Sequence, residues 1–134
     1  MAKSFEYAAS LDGDGRLLAD GGDPLEPGDA WAPEHLVLAG LMRCTLKSLA
    51  FHAGQTDVSA TGGATAEGVV TRREDDGRFA FVEIDCALDV QLDPLPRGEA
   101  LTELLDLAER DCFVGASLTT PPRYTWRVNG EVAR

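Results

Sequence analysis

The sequence predicts an α+β fold in which an antiparallel sheet packs with a long buried central helix and a second, amphipathic helix. Three observations predict it: an apolar helical segment over residues 31–54, a long strand-like alternation over residues 80–92, and a second helical periodicity over residues 99–111. The order of hairpin, helix, strands, helix and strand differs from the regular alternation of a parallel α/β fold. We expect residues 1–134 to form a single domain around one core.

Composition and charge exclude several classes of function. The formal net charge of −11 repels phosphate backbones, so we expect no nucleic acid partner. We expect no apolar segment long enough to cross a bilayer, which takes roughly 20 residues. The first ten residues lack the apolar core of a signal peptide. We therefore expect a soluble, cytoplasmic protein with no membrane partner, whose three cysteines are thiols rather than disulfides.

A β-hairpin is predicted at the start of the chain. Residues 4–11 and 16–19 flank Asp12-Gly13-Asp14-Gly15, and Asp and Gly supply the positive φ angles of a tight turn. Residues 20–30 are rich in Gly, Pro and Asp and lack apolar periodicity, which is typical of a loop.

The long helix is predicted from Pro33 to Ala53. Pro33 and Glu34 suit a first helical turn, and Gly54 suits the position just after the last one. Apolar residues cover more than half of the circumference, which predicts a largely buried helix. Cys44 lies at its middle.

The remaining elements follow from alternation and turn residues. Residues 56–73 predict one irregular or bulged strand, and residues 80–92 predict a long strand whose even positions form a buried face. Apolar residues at 101, 104, 105, 108 and 112 predict an amphipathic helix that ends near Cys112. Residues 123–128 alternate again and predict a final strand.

The three cysteines are the main candidates for chemistry. Cys86 lies on the apolar face of the long strand, which favours a simple core position. Cys44 lies one helical turn from Lys47, a cation that favours a thiolate, and Cys112 ends a separate helix. From spacing alone, a reactive Cys44–Cys112 pair and two packed cysteines both stay open.

No cofactor is expected. His35 and His52 have no cysteine or histidine at metal-ligand spacing. The glycines of residues 13–22 do not lie between a strand and a helix as a dinucleotide fingerprint requires.

Two cysteine motifs resemble those of the OsmC/Ohr family. Residues 32–44, APEHLVLAGLMRC, are similar to the family's helix motif, in which a Pro-Glu pair precedes leucine, small residues and a cysteine. Residues 107–112, LAERDC, followed by Ser117-Leu118, are similar to its second cysteine motif. The intervening strand and the closing YTWRV also fall where the family has strands, so the likeness covers nearly the whole chain.

The resemblance implies a thiol-dependent peroxidase that acts as an intertwined homodimer on organic or inorganic hydroperoxides, with a dithiol reductant and no metal or flavin. It implies that Cys44 attacks the peroxide and passes through a sulfenic acid, and that Cys112 resolves this acid as a disulfide. It also implies that Glu34 orients an arginine near the thiolate. The hydroperoxide-reductase branch of the family has an arginine within a Gly-Gly-Arg-Asp-Gly turn of the first hairpin. This chain has Asp12-Gly13-Asp14-Gly15 in that turn and offers Arg16 three positions further along. The family's second cysteine is commonly followed by proline, whereas Phe113 follows Cys112 here.

Two points stay open at this stage. The alternative to a peroxidase is a non-catalytic module of the same fold that binds a hydrophobic small molecule and whose cysteines only pack. In addition, Glu34 and Cys44 are ten residues apart on one helix. That separation is a rise of roughly 15 Å, beyond the reach of a glutamate side chain. A shared site therefore requires an intervening arginine or a second copy of the helix across a two-fold axis.

Overall fold

The structure is a computed structural model that describes residues 2–134. The chain divides into two compact units, one that extends to His35 and one that comprises Leu36–Arg134. The single-domain organisation stays a prediction.

The first unit contains the predicted hairpin. Strands β1 (Ala9–Leu11) and β2 (Leu17–Ala19) pair antiparallel, with Ala9 opposite Ala19. The Asp12 carboxylate shapes the turn because it accepts hydrogen bonds from the backbone N–H groups of Asp14 and Arg16, both at 2.9 Å. The hairpin is shorter than predicted, since β2 ends at Ala19 and offers no partner to residues 4–8.

Helix α1 (Pro33–Gly54) forms as predicted, with Glu34 in its first turn. Of its 22 residues, five are buried and form one stripe along the helix: Leu41, Thr45, Ser48, Leu49 and Ala53. Other apolar side chains, including Val37 and Phe51, remain exposed. The helix is the central core helix that we expected, but one chain covers only one of its faces.

Helix α1 corrects our expectation about membrane-length segments. Its 22 residues, with a mean hydropathy of 1.2 over the most apolar window, are long and apolar enough by length and composition to cross a bilayer. The core helix of a soluble protein has the same properties, and the buried stripe of α1 belongs to the hydrophobic core of the second unit.

The second unit is built on a four-stranded sheet with the order β3-β4-β5-β6. Its strands are β3 (Ser59–Arg72), β4 (Phe79–Asp93), β5 (Arg123–Val128) and β6 (Glu131–Val132). Strands β3 and β4 form an antiparallel hairpin with a register shift between Val69 and Val70, the bulge that the sequence predicts.

One strand pair differs from the antiparallel pairing that we expected. Strand β5 runs parallel to β4, with Cys86 opposite Tyr124. Two helices, α2 (Glu99–Arg110) and α3 (Phe113–Ser117), connect these strands. A helical crossover of this kind is what returns a chain to the same end of a sheet. Alternation along each strand predicts burial but carries no information on the direction of the neighbouring strand.

The core lies between the sheet and the helices. Alternate residues of β4 are buried as predicted, namely Ile84, Cys86, Leu88, Val90 and Leu92. Helix α2 contributes Leu104, Leu105 and Ala108. Trp126 of β5 is also buried, and its indole N–H donates to Glu109 Oε2 of α2 at 2.7 Å.

Candidate functional site

Cys44 and Cys112 meet at the first turn of α3. Cys112 is the N-cap residue of this short helix, and its sulfur accepts a hydrogen bond from the Gly115 N–H at 3.4 Å. The Val114 N–H donates to the Cys44 sulfur at 3.5 Å. Neighbouring backbone donors thus hold both sulfurs, as a capping position allows because its N–H groups have no partner within the helix.

The environment of Cys44 favours the protonated thiol within a single chain. Burial raises the pKa of Cys44 above its ordinary value, and the hydrogen bond and charge of Cys112 add to this increase. The N–H groups of Val114 and Phe113 act in the opposite direction. Lys47, which we expected to favour the thiolate, is exposed and is not among the groups that most affect this pKa. That expectation was wrong for the isolated chain.

Cys112 is fully buried and faces two hydroxyl groups. Thr45 Oγ1 lies 3.4 Å from the Cys112 sulfur and donates its own hydrogen to the Leu41 carbonyl at 2.9 Å. Because that hydrogen is already used, Thr45 accepts a hydrogen bond from the Cys112 thiol. The Tyr124 hydroxyl also lies close enough to Cys112 for the thiol to contribute to its raised pKa, of which burial is the largest cause.

Our sequence analysis did not identify Thr45 and Tyr124. Both are polar residues on largely apolar faces, Thr45 on the buried stripe of α1 and Tyr124 on the inward side of β5. A polar residue at such a position is the signal that points to a buried hydrogen-bond network.

Cys86 occupies the core position that the sequence predicts. It is 1% exposed and lies between the sheet and the helices. Burial, followed by the charge of Cys112, raises the pKa of Cys86 to about 11. Its thiol is therefore the protonated form at neutral pH.

The other two expected site residues lie elsewhere on the chain. Glu34 is an exposed residue of the first turn of α1, and the helix places its Cα roughly 15 Å along the axis from that of Cys44. Arg16 lies in the hairpin of the first unit, where it pairs with Asp12 at 2.7 Å and Asp14 at 3.5 Å. The thiol pair is thus the portion of the expected site that is assembled within one unit.

The described residues around the thiols form no metal cluster, and neither thiol lines the groove on the sheet. Within residues 2–134, no group of three or more His, Cys, Asp or Glu side chains is arranged to hold a metal ion. An open groove of about 670 Å³ runs along β3, β4 and β5, and the residues that line it include neither Cys44 nor Cys112.

Solved structures of several proteins share this fold. An OsmC-like protein of unknown function from Vibrio cholerae has a TM-score of 0.71 at 17% identity, over 92% of this chain and 99% of that one. An organic hydroperoxide resistance protein from Elizabethkingia anophelis, with thiocyanate bound, has a TM-score of 0.63 at 19% identity, over 96% and 100%. The organic hydroperoxide resistance protein OhrB of Bacillus subtilis has a TM-score of 0.54 at 19% identity, over 92% and 96%.

The sequence itself supports the same relationship. No curated protein matches the chain. The family model described as OsmC-like protein matches residues 26–127, a range that includes α1 with Cys44, the β3–β4 hairpin, and α3 with its capping residue Cys112. The likeness to the family that the two cysteine motifs suggested is therefore confirmed, and the chain belongs to the OsmC-like protein family.

Proposed function

We propose that the protein reduces organic or inorganic hydroperoxides, with Cys44 as the attacking thiol and Cys112 as the resolving thiol. One observation carries this proposal: two cysteines from separate helices meet at the first turn of α3. Membership of the OsmC-like family, some of whose solved relatives are named organic hydroperoxide resistance proteins, agrees with it.

In the first step, the Cys44 thiolate attacks one oxygen of the hydroperoxide. The O–O bond breaks, the sulfur is oxidised to a sulfenic acid, and the released alkoxide takes up a proton to become the alcohol. Cys44 suits this role because it is only partly buried, whereas Cys112 is 0% exposed.

In the second step, the Cys112 sulfur attacks the sulfur of the sulfenic acid. A disulfide forms, and the hydroxyl of the sulfenic acid leaves as water with the proton of Cys112. An external dithiol then returns both cysteines to thiols and is itself oxidised to a disulfide. A nearby resolving thiol protects Cys44 from irreversible oxidation to a sulfinic acid.

This chemistry needs a positive charge near Cys44, and we propose that a homodimer supplies it. Peroxides react with the thiolate, yet burial raises the pKa of Cys44. We propose that Glu34 of one chain and the guanidinium of Arg16 complete the site of the other chain. The uncovered apolar face of α1 supports a second copy there. A reducing cytoplasm is the compartment that suits these free thiols.

A peroxide-consumption assay with a dithiol reductant tests the proposal. We expect the wild type to consume cumene hydroperoxide or hydrogen peroxide, and Cys44→Ser to fall to the uncatalysed background. Cys112→Ser should complete its first oxidation and then accumulate sulfinic acid at Cys44, while Cys86→Ala, the matched control, should keep its activity. Wild-type consumption no faster than that of the dithiol alone would indicate the non-catalytic binding module instead.

A further inference from the structure

The Tyr124 hydroxyl is a buried polar group that makes no hydrogen bond of ordinary distance and angle in residues 2–134, although Thr45 and Cys112 lie near enough to affect its pKa. It lies beside the resolving thiol: a Cβ atom added at Gly115 would be 2.6 Å from the Tyr124 oxygen and 3.4 Å from the Cys112 sulfur. Most buried hydroxyl groups in proteins have a partner, so an unpaired one needs an explanation.

The reduced protein does not need this hydroxyl. The Cys112 thiol already donates to Thr45 Oγ1, and the Cys112 sulfur accepts from the Gly115 N–H. Thr45 in turn donates to Leu41, so the hydrogen bonds of the neutral thiol are complete without Tyr124. This donor is therefore available to another state of Cys112.

That other state arises when the disulfide is reduced. Because Cys112 is 0% exposed, the thiolate of an external dithiol can attack only the Cys44 sulfur. The Cys44–Cys112 bond then breaks, and its electron pair leaves on Cys112 as a buried thiolate. The second thiol of the reductant next attacks the mixed disulfide and releases Cys44. The cysteine pair gains two electrons and the dithiol loses two.

A buried thiolate needs hydrogen-bond donors, and the neutral thiol's arrangement supplies only one. While the Thr45 hydroxyl donates to the Leu41 carbonyl, it cannot also donate to the thiolate, which leaves the Gly115 N–H. The titratable groups that interact with Cys112 are Cys44 from α1, Cys86 from β4 and Tyr124 from β5. Of these, the phenol of Tyr124 is the strongest neutral donor.

From these contacts, and on the basis of the proposed function, we infer that Tyr124 donates a hydrogen bond to the Cys112 thiolate and so makes Cys112 a better leaving group. Its hydroxyl is unpaired in the reduced resting protein because the geometry is arranged for the transient thiolate. A group held ready for a charge that develops during reaction is a common source of rate enhancement.

The test compares Tyr124→Phe with Tyr7→Phe, which removes the hydroxyl of the chain's other tyrosine, an exposed side chain. Both variants are made in a Cys86→Ala background. We expect Tyr124→Phe to slow the reduction of the disulfide by dithiothreitol about tenfold, the size expected for one hydrogen bond to a charged group. Tyr124→Phe should lower neither the single-turnover rate at which peroxide oxidises Cys44 nor the melting temperature of the reduced protein. Tyr7→Phe should change none of these quantities.

A second measurement reports on Cys112 directly. In a Cys44→Ser, Cys86→Ala background, Tyr124→Phe should show less thiolate absorbance from Cys112 at a fixed alkaline pH than the chain with Tyr124 present, because the thiolate has lost a donor. Fluorotyrosine at position 124, in a Tyr7→Phe chain, keeps the shape of the side chain and strengthens the donor. It should speed disulfide reduction, and this variant serves if Tyr124→Phe does not fold.

The outcomes separate this inference from the proposed function. Unchanged rates of disulfide reduction in Tyr124→Phe, or no response to fluorotyrosine, would overturn the inference. If peroxide did not oxidise Cys44 in the wild type, the proposed function would fail instead. The disulfide formed with diamide would still allow the role of Tyr124 to be measured.

Discussion

The reactivity of each thiol follows from its surroundings. Cys44 is partly exposed, whereas Cys86 is buried and has a pKa of about 11. At pH 8 only about one Cys86 in a thousand is a thiolate, even before access is considered. We therefore expect iodoacetamide to label Cys44 well before Cys86 in the native, reduced protein. Peptide mass spectrometry over a time course measures both rates, and faster labelling of Cys86 would contradict both assignments.

The buried thiols also predict how stability depends on pH. A thiol whose pKa is higher in the folded than in the unfolded chain holds its proton more tightly when folded. The contribution of these thiols to the free energy of unfolding should therefore be constant up to about pH 8.5, the ordinary thiol pKa, and fall as the pH rises toward 10. Urea unfolding between pH 7 and 10 should show this decrease, and Cys86→Ala should reduce its slope. An equal slope in the variant would show that Cys86 does not contribute.

Gly115 is required because three elements converge on it. An added Cβ would lie 2.6 Å from the Tyr124 oxygen and 3.5 Å from the Leu41 side chain. We expect Gly115→Ala to lower the free energy of unfolding by about 1–3 kcal/mol, the usual cost of overpacking. In a Tyr124→Phe background the overlapping oxygen is absent, so the same substitution should cost less. Urea unfolding of the two single variants and the double variant gives the coupling, and simple additivity would contradict this explanation.

At the level of elements, α2 and β5 are joined by a polar contact within the core. The Glu109 carboxylate accepts from Trp126 Nε1 at 2.7 Å and pairs with Arg134 at 2.9 Å. Glu109→Ala leaves a buried indole N–H without a partner, and we expect it to lower the free energy of unfolding by about 1–3 kcal/mol. Glu109→Gln keeps an acceptor oxygen and is the matched control, which should retain most of the stability. Similar losses in the two variants would assign the effect to the charge of Glu109.

The elements that the sequence predicted best are those with their own periodicity. The alternation along β4 and the capping residues of α1 depend on neighbours in the chain, so both elements were predictable. Helix α3 was not predicted, because five residues are too few to show a helical period and its cap, Cys112, depends on hydrogen bonds made in the folded state. The parallel pairing of β4 and β5 was not predicted either, because it depends on tertiary packing.

The candidate site was also predictable only in part from the sequence. Spacing alone left both a reactive pair and two packed cysteines open, and the resemblance to a family favoured the pair. Thr45 and Tyr124 could not be connected to Cys112 from the sequence, because residues far apart in the chain meet only after the sheet and helices pack. Conversely, Lys47 is not among the groups that most affect the pKa of Cys44, so we expect the assembly to supply the positive charge at this thiol.

At the level of the whole molecule, the uncovered face of α1 predicts a homodimer. Val37 and Phe51 lie on this helix and are 37% and 58% exposed, in a segment apolar over most of its circumference. Exposed apolar surface of this kind is typical of an interface between subunits. Light scattering at micromolar concentration should give twice the chain mass of 14.3 kDa. Phe51→Glu should weaken the dimer, and a monomeric wild type would defeat the prediction.

The last prediction concerns the shared site within that dimer. Glu34 and Cys44 cannot meet on one straight helix, because about 15 Å of rise separates them. If each site takes Glu34 from one chain and Cys44 from the other, Glu34→Ala and Cys44→Ser homodimers are both inactive. A mixed dimer has one intact site, composed of Glu34 from the Cys44→Ser chain and Cys44 from the Glu34→Ala chain. Unfolding and refolding an equal mixture makes about half of the dimers mixed, so about a quarter of the wild-type peroxidase activity should return. Each variant refolded alone is the control, and a mixture no more active than these would show that both residues act within one chain.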